Sequence, residues 1–104
     1  MEVNIQSLHF DAATHLIDFI NKKVGKLDQY VENGVVAEVT LRLVKSEEKT
    51  NKEASIKLLV PEGDLFASKQ SDTFEEAVVE AVDAIIKQIG RYKEKKQTEL
   101  TKKN

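Results

Sequence analysis

Cysteine is absent from this chain of 104 residues, so neither a disulfide framework nor thiolate chemistry is available to it. No apolar run approaches the roughly 20 residues that cross a membrane, and the first ten residues lack the basic and apolar regions of a signal peptide. Aromatic residues make up only 6% of the chain, too few for an aromatic array on a sheet that stacks bases. These absences indicate a cytoplasmic protein that neither enters a membrane nor reads RNA bases with aromatic side chains on its sheet.

Groups that carry catalysis are equally scarce. The two histidines, His9 and His15, are six residues apart and match no metal-ligand spacing, and His15 is expected on the surface of the first helical turn. The serines have no signature of an activated nucleophile, and there is no glycine-rich phosphate loop. The acids of the last third, such as Glu76 and Glu80, are more often a solvated helix face than a catalytic carboxylate pair. The sequence therefore predicts no enzyme, no cofactor, no metal and no small-molecule substrate.

What the sequence does contain is a clear hydrophobic periodicity. Residues 3–8 predict a strand, and a helix is expected after Asp11. Its apolar residues recur every three or four positions as far as Val31, with Gly25 tolerated inside the run and Asn33-Gly34 ending it. The first half of the chain therefore begins with a strand and one long amphipathic helix.

The remaining segments alternate and then return to helical spacing. Strands are predicted at 35–44, 52–60 and 65–70, joined by a polar loop at 45–51 and a turn at 61–64. Asp72 and Glu75 have the spacing of an N-cap and its partner, and predict a second helix that reaches about residue 96. The order β-α-β-β-β-α predicts an α+β domain over 1–96, with two helices on one face of a four-stranded sheet, and a polar tail at 97–104.

The second helix changes the sign of its charge partway along. Residues 72–86 contain five acids and no base, whereas residues 87–103 contain seven bases and two acids. Lys87, Arg91 and Lys95 are four residues apart and form one outward ridge, and Lys93 flanks the apolar face. The macrodipole of a helix favours this order of charges, but a concentrated basic end also suits a polyanion such as RNA.

A second basic cluster lies in the first helix. Lys22, Lys23 and Lys26 fall near its C-terminal half, and Lys22 and Lys26 point away from the apolar stripe. If the two helices run in the same direction, the two clusters can meet in a groove that phosphates favour. The alternative is that each cluster is only a solvated helix end, and the residues alone leave both interpretations open.

Three stretches resemble the ribosome hibernation promoting factors, also known as ribosome-associated inhibitors. They are FINKKVGKLDQY at 19–30, KLLVPEGDLFAS at 57–68 and AIIKQIGRYKEK at 84–95, and the resemblance covers residues 2–96. It implies a fold like that of a double-stranded RNA binding domain. It also implies binding to the small ribosomal subunit and its rRNA, over the sites of tRNA and mRNA, which silences translation in stationary phase or stress.

By that resemblance, phosphate contacts would come from bases on both helices: Lys22, Lys23, Lys26, Lys87, Arg91, Lys93 and Lys95. Ala84 stands where relatives often have lysine. The chain resembles the short class without a second domain, and a second hibernation factor is a further possible partner. Whether such a protein promotes ribosome dimers or blocks single ribosomes stays open. The alternative function is a non-catalytic protein-interaction module that docks through the polarised second helix or the open sheet face.

Overall fold

Four strands and two helices follow one another in the predicted order in the computed structural model of the chain. The structure describes residues 1–32, 34–45, 50–61 and 63–102, with side chains as far as Arg91. The elements are β1 (Glu2–Ser7), α1 (Thr14–Gly25), a short 3₁₀ helix (Lys26–Tyr30), β2 (Val36–Leu43), β3 (Lys52–Leu59), β4 (Leu65–Ser71) and α2 (Phe74–Lys102). No helix in these described ranges is long and apolar enough to cross a membrane.

The sheet has the strand order β1-β2-β3-β4. β1 pairs with β2 in parallel, and α1 provides the crossover connection that a parallel pair needs. The other two pairs, β2 with β3 and β3 with β4, are antiparallel. β1, β2 and β4 therefore run in the same direction. α1 follows β1 and α2 follows β4, so both helices start at the same end of the sheet and run back along it. Their C-terminal halves consequently lie towards the same end of the molecule.

One face of the sheet is covered by both helices and holds the core. The pairing register places Val39, Ile56 and Ala67 in one row across β2, β3 and β4, and all three are buried. Ile20 from α1 and Ile85 from α2 are fully buried against this face. The alternation in the sequence thus predicted which residues face the core, and the α+β architecture is confirmed.

The opposite face of the sheet is mostly polar, and neither α1 nor α2 packs against it. Its central feature is Glu53 on β3, whose carboxylate accepts a bond from Arg42 Nε at 2.6 Å and another from Gln70 Nε2 at 3.3 Å. Glu53 is only 6% exposed although it lies on the uncovered face, because its neighbours on β2 and β4 close over it. The hydrogen bond to Glu53 is the main reason that the pKa of Arg42 is raised above the ordinary value, and the charge of Glu53 adds to it.

α1 differs from the predicted single helix at both ends. It begins after Ala13, which provides no side-chain cap, and so starts two residues later than the expected start directly after Asp11. The α-helical hydrogen bonding ends at Gly25, and the chain continues as the 3₁₀ helix, which still buries Leu27. Gly34 has a φ of 87°, as the predicted stop requires, whereas Asn33 lies outside the described residues.

α2 also differs from the prediction at both ends. Thr73, not Asp72, caps it: the Glu76 N–H donates to Thr73 Oγ1 at 3.1 Å, and the Ala77 N–H donates to the Thr73 carbonyl at 3.2 Å. Glu76 accepts a bond from Ser71 Oγ at 2.7 Å, so the acid is fixed from the end of β4. The helix continues to Lys102, several residues beyond its predicted end, and residues 103–104 lie outside the described residues.

The two connections around β3 agree with the predicted turns as far as they are described. The Gly63 N–H donates to the Val60 carbonyl at 3.2 Å, and Gly63 has a φ of 132°, which glycine adopts without strain. Val44 and Asn51 are bonded at the base of the loop between β2 and β3. Glu62 and residues 46–49 lie outside the described residues.

Candidate nucleic-acid interface

The basic cluster of α1 consists of three neighbouring lysines. Lys22 and Lys26 are exposed, and Lys23 is half-buried with its Nζ 5.5 Å from the centre of the Phe19 ring. Repulsion from Lys26 is the main reason that the pKa of Lys23 is lowered, with desolvation and Lys22 adding to it. No acid forms an ion pair with these lysines among the described side chains. The cluster therefore carries positive charge that a bound anion would stabilise.

The basic residues of α2 line a groove beside β4. Lys87 and Arg91 are exposed along it, as the four-residue spacing predicted, and the groove has a volume of about 460 Å³. Gln88, Ala84 and Lys69 complete its lining together with Glu80 and Asp83. The groove combines three bases from two elements with two acids at the end nearer the start of α2.

Lys69 is the one base of this groove that the sequence prediction missed. It pairs with Ala54 in the register of β3 and β4, and Ala54 in turn faces Leu41, so Lys69 lies on the helix-covered face of the sheet. Ala67 and Ser71 are buried two positions before and after Lys69, so alternation along β4 indicates that Lys69 shares their face. A lysine in a core-facing position of an outer strand can reach past the strand edge to solvent.

Gln88 fixes the position of this part of α2 over β4. Its side-chain Nε2 donates to the Phe66 carbonyl at 2.6 Å, and its Oε1 accepts from the Phe66 N–H at 3.2 Å. Lys87 precedes Gln88 directly and Arg91 follows it by three residues, so both bases are carried by the turn of helix that is tied to β4. The groove is therefore held by specific hydrogen bonds as well as by apolar packing.

The space between the two helices has a different character. A groove of about 310 Å³ there is lined by Phe19 of α1 and by four residues of α2: Glu75, Glu76, Val79 and Glu80. Neither of the two grooves is lined by bases from both helices. Val79 lies on the flank of α2 that faces α1, where it lines the groove together with Phe19, whereas Gln88 lies on the flank that faces β4. α2 thus lies between the lysines of α1 and the groove of Lys87 and Arg91.

Two of the seven predicted contact residues cannot be placed by their side chains. Lys93 and Lys95 lie on the helical backbone of α2, but their side chains lie outside the described residues. The structure therefore groups five of the seven predicted bases into two clusters, one on each helix, and adds Lys69 to the second.

Catalytic and metal-binding groups do not converge in the part of the chain that the structure describes. No group of three or more histidine, cysteine or acidic side chains there could hold a metal ion. His15 is exposed in the first turn of α1, as predicted, and His9 is exposed in a loop with a φ of 67°. The notable chemistry of the described surface is its distribution of charge.

Two curated proteins are similar in sequence to nearly the whole of this chain. The ribosome hibernation promotion factor of Bacillus subtilis is 26% identical over 103 residues, which are 99% of this chain and 52% of that protein. The ribosome hibernation promoting factor of Pseudomonas putida is 24% identical over 100 residues, which are 96% of this chain and 94% of that protein. The chain thus spans about half of the first relative and nearly all of the second.

Solved structures show the same fold. The N-terminal domain of Thermus thermophilus Protein Y matches 88% of this chain and 99% of its own with a TM-score of 0.75 at 22% identity. A ribosomal subunit interface protein from Coxiella burnetii matches 89% of this chain and 98% of its own with a TM-score of 0.74 at 16% identity. The family model described as Sigma 54 modulation protein / S30EA ribosomal protein matches residues 3–97. The chain belongs to the Sigma 54 modulation protein / S30EA ribosomal protein family.

Proposed function

We propose that this protein associates with ribosomes and keeps them in hibernation. More specifically, it binds the small subunit in the channel of tRNA and mRNA and silences translation in stationary phase or stress. The observation that carries the proposal is the pair of exposed basic clusters on the two helices, which have no ion-pair partners among the described acids. The names of the two curated relatives support a role in ribosome hibernation.

The proposed contacts are charge contacts to phosphate. Lys22, Lys23 and Lys26 bind one stretch of rRNA backbone, and the bases of α2 bind another: Lys87, Arg91, Lys93 and Lys95. Such contacts fix the position of a protein on RNA without reading its sequence. The protein therefore acts by occupying the channel, without catalysis, cofactor or small-molecule substrate, and its place of action is the cytoplasm.

The test is co-sedimentation with purified small subunits over a series of salt concentrations, followed by competition with tRNA and mRNA. Binding at low salt that weakens steeply with added salt is the expected result, because each neutralised phosphate releases counterions. Charge reversal at Lys87 and Arg91 is expected to abolish binding, whereas reversal of Lys57 on the opposite sheet face leaves it unchanged.

Two outcomes would contradict the proposal. The first is no association at low salt, and the second is association that tRNA and mRNA fail to displace. The alternative of a protein-interaction module predicts something else: a complex from stationary-phase cells that survives complete digestion of RNA.

A further inference from the structure

The groove beside β4 has two walls, and each of them carries exposed bases. α2 forms one wall, with Lys87 and Arg91, and β4 forms the other, with Lys69. None of these three bases forms an ion pair with an acid among the described side chains. The rRNA contacts proposed above all come from helical residues, so the base on the strand is so far without a role.

Lys69 lies at the end of the groove that is nearer the start of α2. The hydrogen bonds between Gln88 and Phe66 place these two residues level with each other. The strand rises about 10 Å from Phe66 to Lys69. The helix runs back about 6 Å from Gln88 to Ala84, and about 12 Å to Glu80. Because α2 runs opposite to β4, Lys69 lies roughly level with the turn between Glu80 and Ala84.

Three bases therefore follow one another along the groove. Arg91 and Lys87 are four residues apart on α2, which is about 6 Å along its axis. Lys69 comes next, beyond Lys87 and on the opposite wall. A nucleic-acid strand repeats its charge at every nucleotide, so a row of bases suits it better than it suits a single anion. A strand that lies along α2 would meet bases from both walls.

The turn of α2 that faces Lys69 contributes a short side chain to the groove. Ala84 lies on the lining between Glu80 and Gln88 and adds only a methyl group to it. A lysine has a long apolar stem and a charged end that extends towards solvent. The side chain of Lys69 can therefore extend from the strand into the groove across this turn.

Glu80 and Asp83 line the same end of the groove and suggest a simpler role for Lys69. In that role the lysine would only offset the charge of the two acids. No ion pair within the described part of the chain joins Lys69 to either of them, although all three side chains are exposed. The ammonium group is thus available to another anion, and the two roles predict different results when the acids are removed.

We propose that Lys69 is a further contact for the rRNA backbone, and that the groove beside β4 binds this backbone between its two walls. The inference rests on the proposed ribosome binding and extends the contact surface from the helices to the sheet. Arg91, Lys87 and Lys69 bind phosphates in that order along the groove. Gln88 keeps the two walls in a fixed relation, because its amide ties α2 to β4.

Fluorescence anisotropy of the labelled full chain with purified small subunits, measured over a series of salt concentrations, tests the inference. Lys69→Gln is expected to reduce the magnitude of the slope of log affinity against log salt by about 0.7–0.9, because one phosphate contact is lost. Over a fourfold change in salt, this alters the affinity relative to wild type by about threefold. Lys57→Gln, on the opposite sheet face, is the matched control and should behave like wild type.

A second background separates contact with RNA from neutralisation of the acids. In Glu80→Gln with Asp83→Gln, a lysine that only offsets these acids has nothing left to offset. Lys69→Gln is expected to reduce the slope by the same amount, about 0.7–0.9, in this background. Ala84→Lys added to Lys69→Gln places a base on the opposite wall of the groove and is expected to restore the slope. Circular dichroism verifies that every variant is folded.

An unchanged slope in Lys69→Gln would overturn the inference, as would a change that disappears when Glu80 and Asp83 are replaced. A folded variant with Ala84→Lys that fails to restore the slope would also overturn it, because the groove would then not hold the backbone. In these cases wild type still binds small subunits, so the proposed function stands. A wild type that does not bind small subunits at low salt would instead overturn both.

Discussion

Replacing Lys87 and Arg91 with glutamine should change the salt dependence of ribosome binding by a predictable amount. Both side chains are exposed, and both line the groove beside β4. Seven proposed phosphate contacts give a slope of log affinity against log salt of about −5 to −6, since each contact contributes roughly 0.7–0.9. Removing two contacts should therefore reduce the magnitude of the slope by about 1.4–1.8.

The difference is large enough to measure. Between about 50 and 200 mM salt, wild type should lose about a thousand-fold or more in affinity and the variant only about a hundred- to five-hundred-fold. Fluorescence anisotropy of labelled protein with purified small subunits gives the slope directly. A matched variant, Glu80→Gln with Asp83→Gln, removes two acids from the same groove and should bind more tightly than wild type.

Two results would refute this reasoning. If the slope is unchanged while affinity falls, Lys87 and Arg91 do not contact phosphate, and their loss acts in another way. If the glutamine substitutions at Glu80 and Asp83 leave affinity unchanged at low salt, the groove beside β4 does not face the RNA. Lys57→Gln, on the opposite sheet face, should match wild type in both slope and affinity.

Three further predictions follow from local contacts. Thr73→Ala should destabilise the protein by about 1 kcal/mol in urea unfolding, whereas Asp72→Ala should be close to neutral, and the reverse order would contradict the observed cap. Arg42→Ala should destabilise the protein more than Lys57→Ala in the same assay, because it removes the closest partner of a carboxylate that is 6% exposed; an equal or smaller loss of stability would contradict this. The lowered pKa of Lys23 should be visible in an NMR titration and rise in Lys26→Gln, because repulsion by Lys26 is its main cause; an unchanged pKa would contradict that cause.

Alternation of side chains made most of the fold predictable. Ala37, Val39 and Leu41 recur at every second position, and the structure buries all three under the helices. Such a period specifies both the strand and the face that it buries, so it restricts the register of the central pair to steps of two residues. The direction of the helices was open in the sequence and is set by the strand pairing, because both helices start where parallel strands end.

Helix ends were less predictable because they depend on contacts beyond the local sequence. Asp72-x-x-Glu75 and Thr73-x-x-Glu76 both have capping-box spacing, and the sequence does not distinguish them. The hydroxyl of Ser71 at the end of β4 binds Glu76 and so favours the second pair. Similarly, nothing local to Gly25 shows that α-helical bonding changes there to a 3₁₀ helix.

The candidate site was predictable for bases on helices and not for the base on a strand. Helical spacing grouped Lys87 with Arg91, and the groove beside β4 contains both. Lys69 was missed because its contribution depends on where α2 crosses the sheet. The groove between the helices also depends on packing, since Phe19 and Val79 are distant in sequence and meet only in the folded chain.

The amide of Gln88 also affects how this protein behaves in a crowded solution. β4 is an outer strand, and such strands offer unpaired N–H and C=O groups to which a strand of another molecule can add. Phe66 lies on that strand with a side chain that is 55% exposed, which would favour such addition. Gln88 already occupies both backbone groups of Phe66, so an incoming strand would have to displace it. A single helical side chain thus opposes edge-to-edge polymerisation of the sheet.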